Sequence, residues 1–258
     1  MVATTGRPDP SVEAAGILRF DRVERVVHWA TALIFAVLVV TGALLYLGPL
    51  GALVGRRALV EDVHVYCGVG LVVPLLLGVV GPWGRALRQD LRRFNRWSGA
   101  DRMWLASVRR AHPDRVALRR RLDIGKFNAG QKLNAAFTAG AGLVMLGTGC
   151  IMRWYHPWPL AWRTGATFVH DWLALALGMV IIGHVGMALR HPDALRSMWA
   201  GRISRSWAAT EAPAWLDGRD GTCQPPPPLS RLLRQPLRAK LRSVPRSESA
   251  RPGPPPRR

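Results

Sequence analysis

Four histidines, His28, His64, His170 and His184, stand inside stretches that otherwise read as apolar helices. An imidazole is costly to place in hydrocarbon, so an ionisable side chain there is by default a functional position. His170 and His184 share one apolar segment. Fourteen residues apart, at roughly 100° and about 1.5 Å per residue, they fall within about 40° of one helix face and about 21 Å apart along the axis. Two such groups at opposite ends of one face point to two separate centres, one near each surface of a membrane. A pair of opposed imidazoles holds a six-coordinate b-type haem and leaves no open position for substrate or oxygen, so each centre would carry electrons.

The elements that must position these residues are legible in the hydropathy. The chain has 258 residues, is 49% hydrophobic and carries a formal charge of +20, with the two properties segregated along it. Four apolar runs, 26–47, 63–83, 133–152 and 164–189, are each long enough to cross a hydrocarbon core about 30 Å thick, which takes about 20 helical residues. Asp171 is the only carboxylate inside them. Trp29, Trp83, Trp154, Trp158, Trp162 and Trp172 cluster near segment ends, as interfacial aromatic belts do. The expected fold is an all-α, integral membrane four-helix bundle.

Residues 1–19 contain no apolar core of a cleavable leader, so the first run is expected to be a retained span. Cys67, Cys150 and Cys223 form no CxxC pair and no c-type haem attachment motif, and read as small apolar residues. Thirteen Lys and Arg residues fall in the connection 84–130, and the flanks before the first span and after the fourth are basic too. The two remaining connections hold only Arg56 with Arg57, and Arg153 with Arg163. By the positive-inside rule both termini and the long connection face the cytoplasm. The same dispersal excludes nucleic acid as a partner, since a binder would gather its charge on one face of a folded domain.

Depth along each span then pairs the histidines. With the amino terminus inside, His28 lies at the inner side and His64 at the outer side, while span four places His170 outer and His184 inner. The pairs are therefore His28 with His184 and His64 with His170, each held by side chains projecting from facing helices. Gly165, Gly178, Gly183 and Gly186 on span four, and Gly42, Gly68, Gly70, Gly78 and Gly142 elsewhere, leave room either for flat macrocycles or for close helix packing. His112 and His191 precede prolines in basic sequence and His156 precedes Pro157 in a short loop, so these three are expected to be solvated. Asp171 adjoins a ligand position but points about 100° away, which suits packing or hydrogen bonding.

Outside the spans, residues 1–18 are expected to be disordered. Arg19, Arg22 and Arg25 alternate with Asp21 and Glu24 in what reads as a short amphipathic lead-in helix. RALRQDLRRFNRW, MWLASVRRAH and HPDALRSMWAGRISRSWA read as basic amphipathic stretches lying on anionic lipid. The Pro- and Arg-rich stretch 217–258 cannot bury enough apolar surface to order itself. No internal repeat stands out. GKFNAGQK, at 125–132, enters span three at the depth of His28 and His184. Glycine there lets backbone approach a ligand closely, and Asn128 and Gln131 offer amide groups to a quinone carbonyl. The same Asn128 could instead cap the helix that follows.

RFDRVERVVHWA, GKFNAGQK, VHDW and GHVGMALR followed by MWAGRISRSWA resemble the cytochrome b (gamma) subunit of respiratory membrane-bound formate dehydrogenases, over residues 19–216. The resemblance implies a four-helix protein with two b haems in the bacterial inner membrane. It places the haem ligands on His28, His64, His170 and His184 and a quinone site on Asn128, Gly130 and Gln131. It also implies an iron–sulfur (beta) subunit as electron donor, a catalytic formate dehydrogenase (alpha) subunit behind it, and menaquinone or ubiquinone as acceptor. The arginine-rich connection and the proline-rich tail depart from that pattern, as does His191. The chain carries no Rossmann fingerprint, P-loop or cysteine cluster, so it would not oxidise a two-electron donor alone. The cytochrome b subunit of a hydrogenase or thiosulfate reductase is the nearest alternative expectation, and a haem-free anchor or transporter a more distant one.

Overall fold

The computed structural model describes residues 16–109 and 122–219. A two-residue strand, β1 (Ile17–Leu18), precedes α1 (Arg22–Tyr46). A short α2 (Gly48–Val54) leads into a second long helical segment made of α3 (Arg57–Gly70) and α4 (Val72–Val80). The basic connection carries α5 (Arg85–Phe94) and α6 (Gly99–Arg109), followed by α7 (Ala129–Arg153) and α8 (Leu160–Arg190). The chain continues through α9 (Pro192–Ala200), β2 (Arg202–Ile203), α10 (Arg205–Glu211) and α11 (Pro213–Leu216).

Among the described residues four helical segments, Arg22–Tyr46, Arg57–Val80, Ala129–Arg153 and Leu160–Arg190, are long and apolar enough to cross a membrane. No more than 11% of the apolar window of any of them is buried by protein. Leu33, Val40, Val80, Leu143, Phe168 and Ile182 stand exposed along them. Contiguous apolar surface on that scale needs lipid to cover it. The first span packs on the second, the second on the third, and the third on the fourth.

Each span starts before its apolar run, because hydropathy marks the hydrocarbon section while helical hydrogen bonding continues through the interface until something caps it. Asp21 Oδ1 accepts from the Glu24 N–H at 2.8 Å, and Glu24 Oε2 accepts from the Asp21 N–H at 2.6 Å. This capping box starts α1 at Arg22, four residues before the expected 26. Arg22 and Arg25 therefore belong to the span helix itself, and the separate lead-in helix expected there does not exist. The second span is interrupted at Leu71. Pro74 lacks an N–H and its ring collides with the carbonyl four residues earlier, that of Gly70, where α3 ends.

The amino-terminal stretch expected to be disordered through residue 18 is ordered at its end. Ile17 and Leu18 pair antiparallel with Ile203 and Arg202. Gly201 makes this junction possible: at φ +77° its carbonyl accepts from both Arg19 and Phe20 N–H groups, and a Cβ would lie 2.6 Å from the Phe20 oxygen. The end of the stretch 191–208, expected to lie along lipid, folds together with the residues up to 216 on a small core of Ile203, Ala208, Ala212 and Trp215. Arg19 is buried against it, its guanidinium over the rings of Trp207 and Phe20. Burial pushes that group down to about 10, partly offset by Asp90 and Glu211, so it stays charged at neutral pH. The tail expected from 217 is described only to Arg219, which bonds Asp217 and Asp123; the remainder, with residues 1–15 and 110–121, lies outside the described residues.

Candidate functional site

The structure brings the four histidines together in two pairs. The rings of His64 on α3 and His170 on α8 lie 6.3 Å apart between centroids, and those of His28 on α1 and His184 on α8 lie 6.4 Å apart. Two metal–imidazole bonds of about 2 Å, plus about 1.1 Å from each ring nitrogen to its centroid, sum to about 6.2 Å. Each pair can thus hold one metal ion between opposed rings.

At the first pair the ring nitrogens are already sorted. Thr41 Oγ1 lies 2.8 Å from His64 Nδ1 and donates to the Val37 carbonyl at 2.7 Å. Thr148 Oγ1 lies 2.9 Å from His170 Nδ1 and donates to the Val144 carbonyl at 2.8 Å. Such back-bonding to the preceding turn is common for helical threonine. A hydroxyl has a single proton, so with that proton on the carbonyl each threonine accepts from Nδ1–H. Both Nε2 atoms are then left with free lone pairs. Gly42 and Gly149 follow the two threonines, and a Cβ at either would sit 3.5 Å from the Cε1 atom of His64 or His170. Each ring therefore rests on a glycine and is steered by the hydroxyl beside it.

The His28–His184 pair is built differently. The His28 ring meets Trp29 edge-on at 5.3 Å. Trp29 in turn stacks on Trp199 at 4.1 Å and donates from Nε1 to the Met198 carbonyl at 3.1 Å. Arg25 also donates to the Trp199 carbonyl. The start of α1 is thus fastened to α9, which continues from the helix bearing His184. Along α8, a Cβ at Gly165, Gly178, Gly183 or Gly186 would meet nothing within 4 Å, so the helix presents open space there. Gly78 is different: a Cβ would come within 2.7 Å of Leu87 and Val27, so this glycine serves helix packing. His156 stacks on Tyr155, and it and His191 are exposed and apart from both pairs; His112 is outside the described residues.

GKFNAGQK is the most heavily anchored stretch of the connection. Lys126 Nζ bonds Glu24 Oε1 at 3.0 Å and Asp90 Oδ2 at 2.5 Å. Phe127 stacks on Phe94 at 4.2 Å. Lys132 Nζ bonds both oxygens of Asp101, at 2.9 and 2.8 Å, and the Arg96 carbonyl at 2.8 Å. Asn128 Oδ1 accepts from the Gln131 N–H and Gln131 Oε1 from the Asn128 N–H, both at 3.0 Å, forming the capping box that starts α7. Both carboxamide oxygens thereby accept within the cap, which leaves both NH2 groups as the donors of these side chains. The Trp104 ring fills the space beside Gly130, where a Cβ would lie 2.8 Å from it.

Sequence reasoning missed Thr41, Thr148, Glu24, Asp90 and Asp101. A signal existed for the acids. Only three of the 36 basic residues are lysine, two of them lie in this motif, and Asp90 and Asp101 are the only carboxylates in residues 84–109. Isolated lysines facing isolated acids within an arginine-rich stretch mark buried pairs.

The cytochrome b556(fdo) subunit of formate dehydrogenase from Escherichia coli K12 is 27% identical over 207 residues, covering 77% of this chain and 91% of the relative. The cytochrome b556(Fdn) subunit of the nitrate-inducible formate dehydrogenase of the same strain is 24% identical over 210 residues, covering 77% and 89%. Residues 19–201, which carry both histidine pairs and the GKFNAGQK loop, match the prokaryotic cytochrome b561 family along most of the chain, and the protein belongs to that family.

Proposed function

We propose that this chain is the membrane cytochrome b subunit of a formate dehydrogenase, passing electrons from an iron–sulfur (beta) subunit to a quinone. The observation that carries this reading is the presence of two histidine pairs, each with the ring separation of a bis-imidazole metal site, at two levels of one helix bundle. His64 and His170 would hold one b haem and His28 and His184 the other. Held between two imidazoles, a haem would supply one-electron transfer and no substrate chemistry. The ligand histidines on α8 set the separation of the two centres at about 21 Å of rise, most of the thickness of a hydrocarbon core.

The charge distribution supports an orientation with both termini and the basic connection on the cytoplasmic side of a bacterial inner membrane. His64 and His170 then lie towards the outer face, where a catalytic formate dehydrogenase (alpha) subunit would deliver electrons through its iron–sulfur partner. His28 and His184 lie inward. The acceptor, menaquinone or ubiquinone, would bind at Asn128, Gly130 and Gln131. The ion pair between Lys126 and Glu24 supports that placement, because Glu24 precedes His28 by one helical turn, about 6 Å of rise. The NH2 groups of Asn128 and Gln131, whose oxygens are used by the cap, would be the donors that a quinone carbonyl, a pure acceptor, requires. Trp104 offers an aromatic wall beside Gly130. Electrons moving inward and protons taken up at the cytoplasmic side would together add to the membrane potential.

A reduced-minus-oxidised optical spectrum with haem quantitation on the purified complex tests the reading. Two b haems per chain, reduced by formate and reoxidised by a quinone analogue, are expected. One haem or none, or haems that formate leaves oxidised, would refute it.

A further inference from the structure

We propose that Thr41 and Thr148 are positioning residues that fix the tautomer of His64 and His170 and hold down the reduction potential of the iron between them. This rests on the reading that the pair holds a haem. The hydroxyl–imidazole contacts alone do not carry it; the two threonines also occupy one position in two matched helices. α1 and α7 are both 25 residues long, and both begin with a side-chain capping box, at Asp21–Glu24 and Asn128–Gln131. Thr41 and Thr148 each stand nineteen residues beyond the first helical residue, each followed by a glycine. Each reaches the histidine of the next span, 23 or 22 residues on. The chain thus contains a hidden two-fold correspondence between its helical hairpins, and the His64–His170 site lies where the two halves meet. His28 and His184 have no counterpart in it, and neither ring nitrogen bonds any described residue.

The chemistry follows from the closed chain of bonds. Val37 and Val144 carbonyls take the hydroxyl protons, the hydroxyl oxygens take Nδ1–H, and Nε2 is presented to the metal. Outer-shell acceptors of this kind hold ring orientation and raise ligand basicity. A more basic imidazole favours ferric over ferrous iron, which lowers the midpoint potential. Two such bonds at one site, and none to described residues at the other, separate the potentials of the two centres. The lower one would fall on the side where electrons arrive, so transfer to a centre held by His28 and His184 would run downhill.

The test is an optical redox titration of the intact purified complex carrying Thr41→Val, Thr148→Val or both, with Thr→Ser variants as rescue. Valine keeps the shape and removes the hydroxyl. One haem should keep its midpoint, while the other rises, with a tenfold change in ferric-to-ferrous preference reading as about 59 mV for one electron. The low-temperature EPR signal of the same haem should shift, and serine should restore both. If a valine variant loses that haem, serine should retain it. Two haems with unmoved midpoints in the double valine variant would overturn the inference and leave the two-haem reading intact. Loss of haem in valine and serine variants alike would also overturn it, leaving only a packing role. Fewer than two haems in the unsubstituted complex would overturn both.

Discussion

Replacing Lys126 with methionine would remove a buried cation that joins three segments distant in sequence. Its side chain is 3% exposed, and its partners Glu24 and Asp90 are 5% and 4% exposed. Removing one member of a pair this deeply buried typically costs about 3–5 kcal/mol, because the remaining charge keeps its desolvation penalty and loses its partner. Here two acids would be left facing one another and would have to share a proton, which places Lys126→Met within that range. The contrast within the same molecule is Arg196 with Asp193, 79% and 57% exposed, where such a pair is worth about 0–1 kcal/mol. At about 2–4 °C per kcal/mol for a chain of this size, Lys126→Met should lower the unfolding midpoint of the purified complex by about 6–20 °C. Arg196→Ala should leave it nearly unchanged. The assay is thermal unfolding in detergent, followed by haem absorbance and tryptophan fluorescence in parallel. Adding Glu24→Gln and Asp90→Asn to Lys126→Met should recover much of the loss, since neutral amides no longer repel. A Lys126→Met midpoint equal to that of Arg196→Ala would refute the reasoning, and the cluster would then be a solvated contact with no part in holding the connection against α1.

Three further outcomes are expected. His64→Ala should leave one haem per chain by pyridine haemochrome quantitation and block electron arrival from formate, while the ligands of the other pair stay in place; two haems and full turnover would show the pairing to be wrong. Asn128→Ala removes both a helix cap, typically about 1 kcal/mol, and an amide donor worth about 0.5–1.5 kcal/mol. Quinone reduction should therefore fall several-fold at unchanged haem content, with electrons accumulating on the haems under formate, whereas unaltered rates and inhibitor sensitivity would make the loop a cap alone. Gly149→Val places branched carbon where even a Cβ would lie 3.5 Å from His170 Cε1, so occupancy of that haem should drop while the other is retained, a difference readable in the same titration.

The four spans and the pairing of histidines by depth were legible because both depend on one-dimensional quantities. Apolar length measures a crossing, and helical rise converts residue number into depth, so His170 and His184 could be set at opposite ends of one helix before any packing was known. The asymmetry of arginine along the chain carried the expected orientation in the same way. Helix ends were less legible from hydropathy: Asp21 and Asn128 cap their spans five residues before the apolar runs begin, because hydrogen bonding continues where hydropathy has already fallen, and only the cap at Asn128 was among the expected roles. The pieces that only tertiary structure decided depend on helix rotation and on contacts across more than a hundred residues. Thr41 and Thr148 are unremarked polar residues in apolar runs until the neighbouring helix turns an imidazole towards each. Lys126 was one basic residue in a basic stretch until the fold enclosed it with Glu24, 102 positions away, and Asp90. Position along a helix is written in the sequence, but which side chains meet across helices is set by how the bundle excludes lipid and satisfies its buried charges.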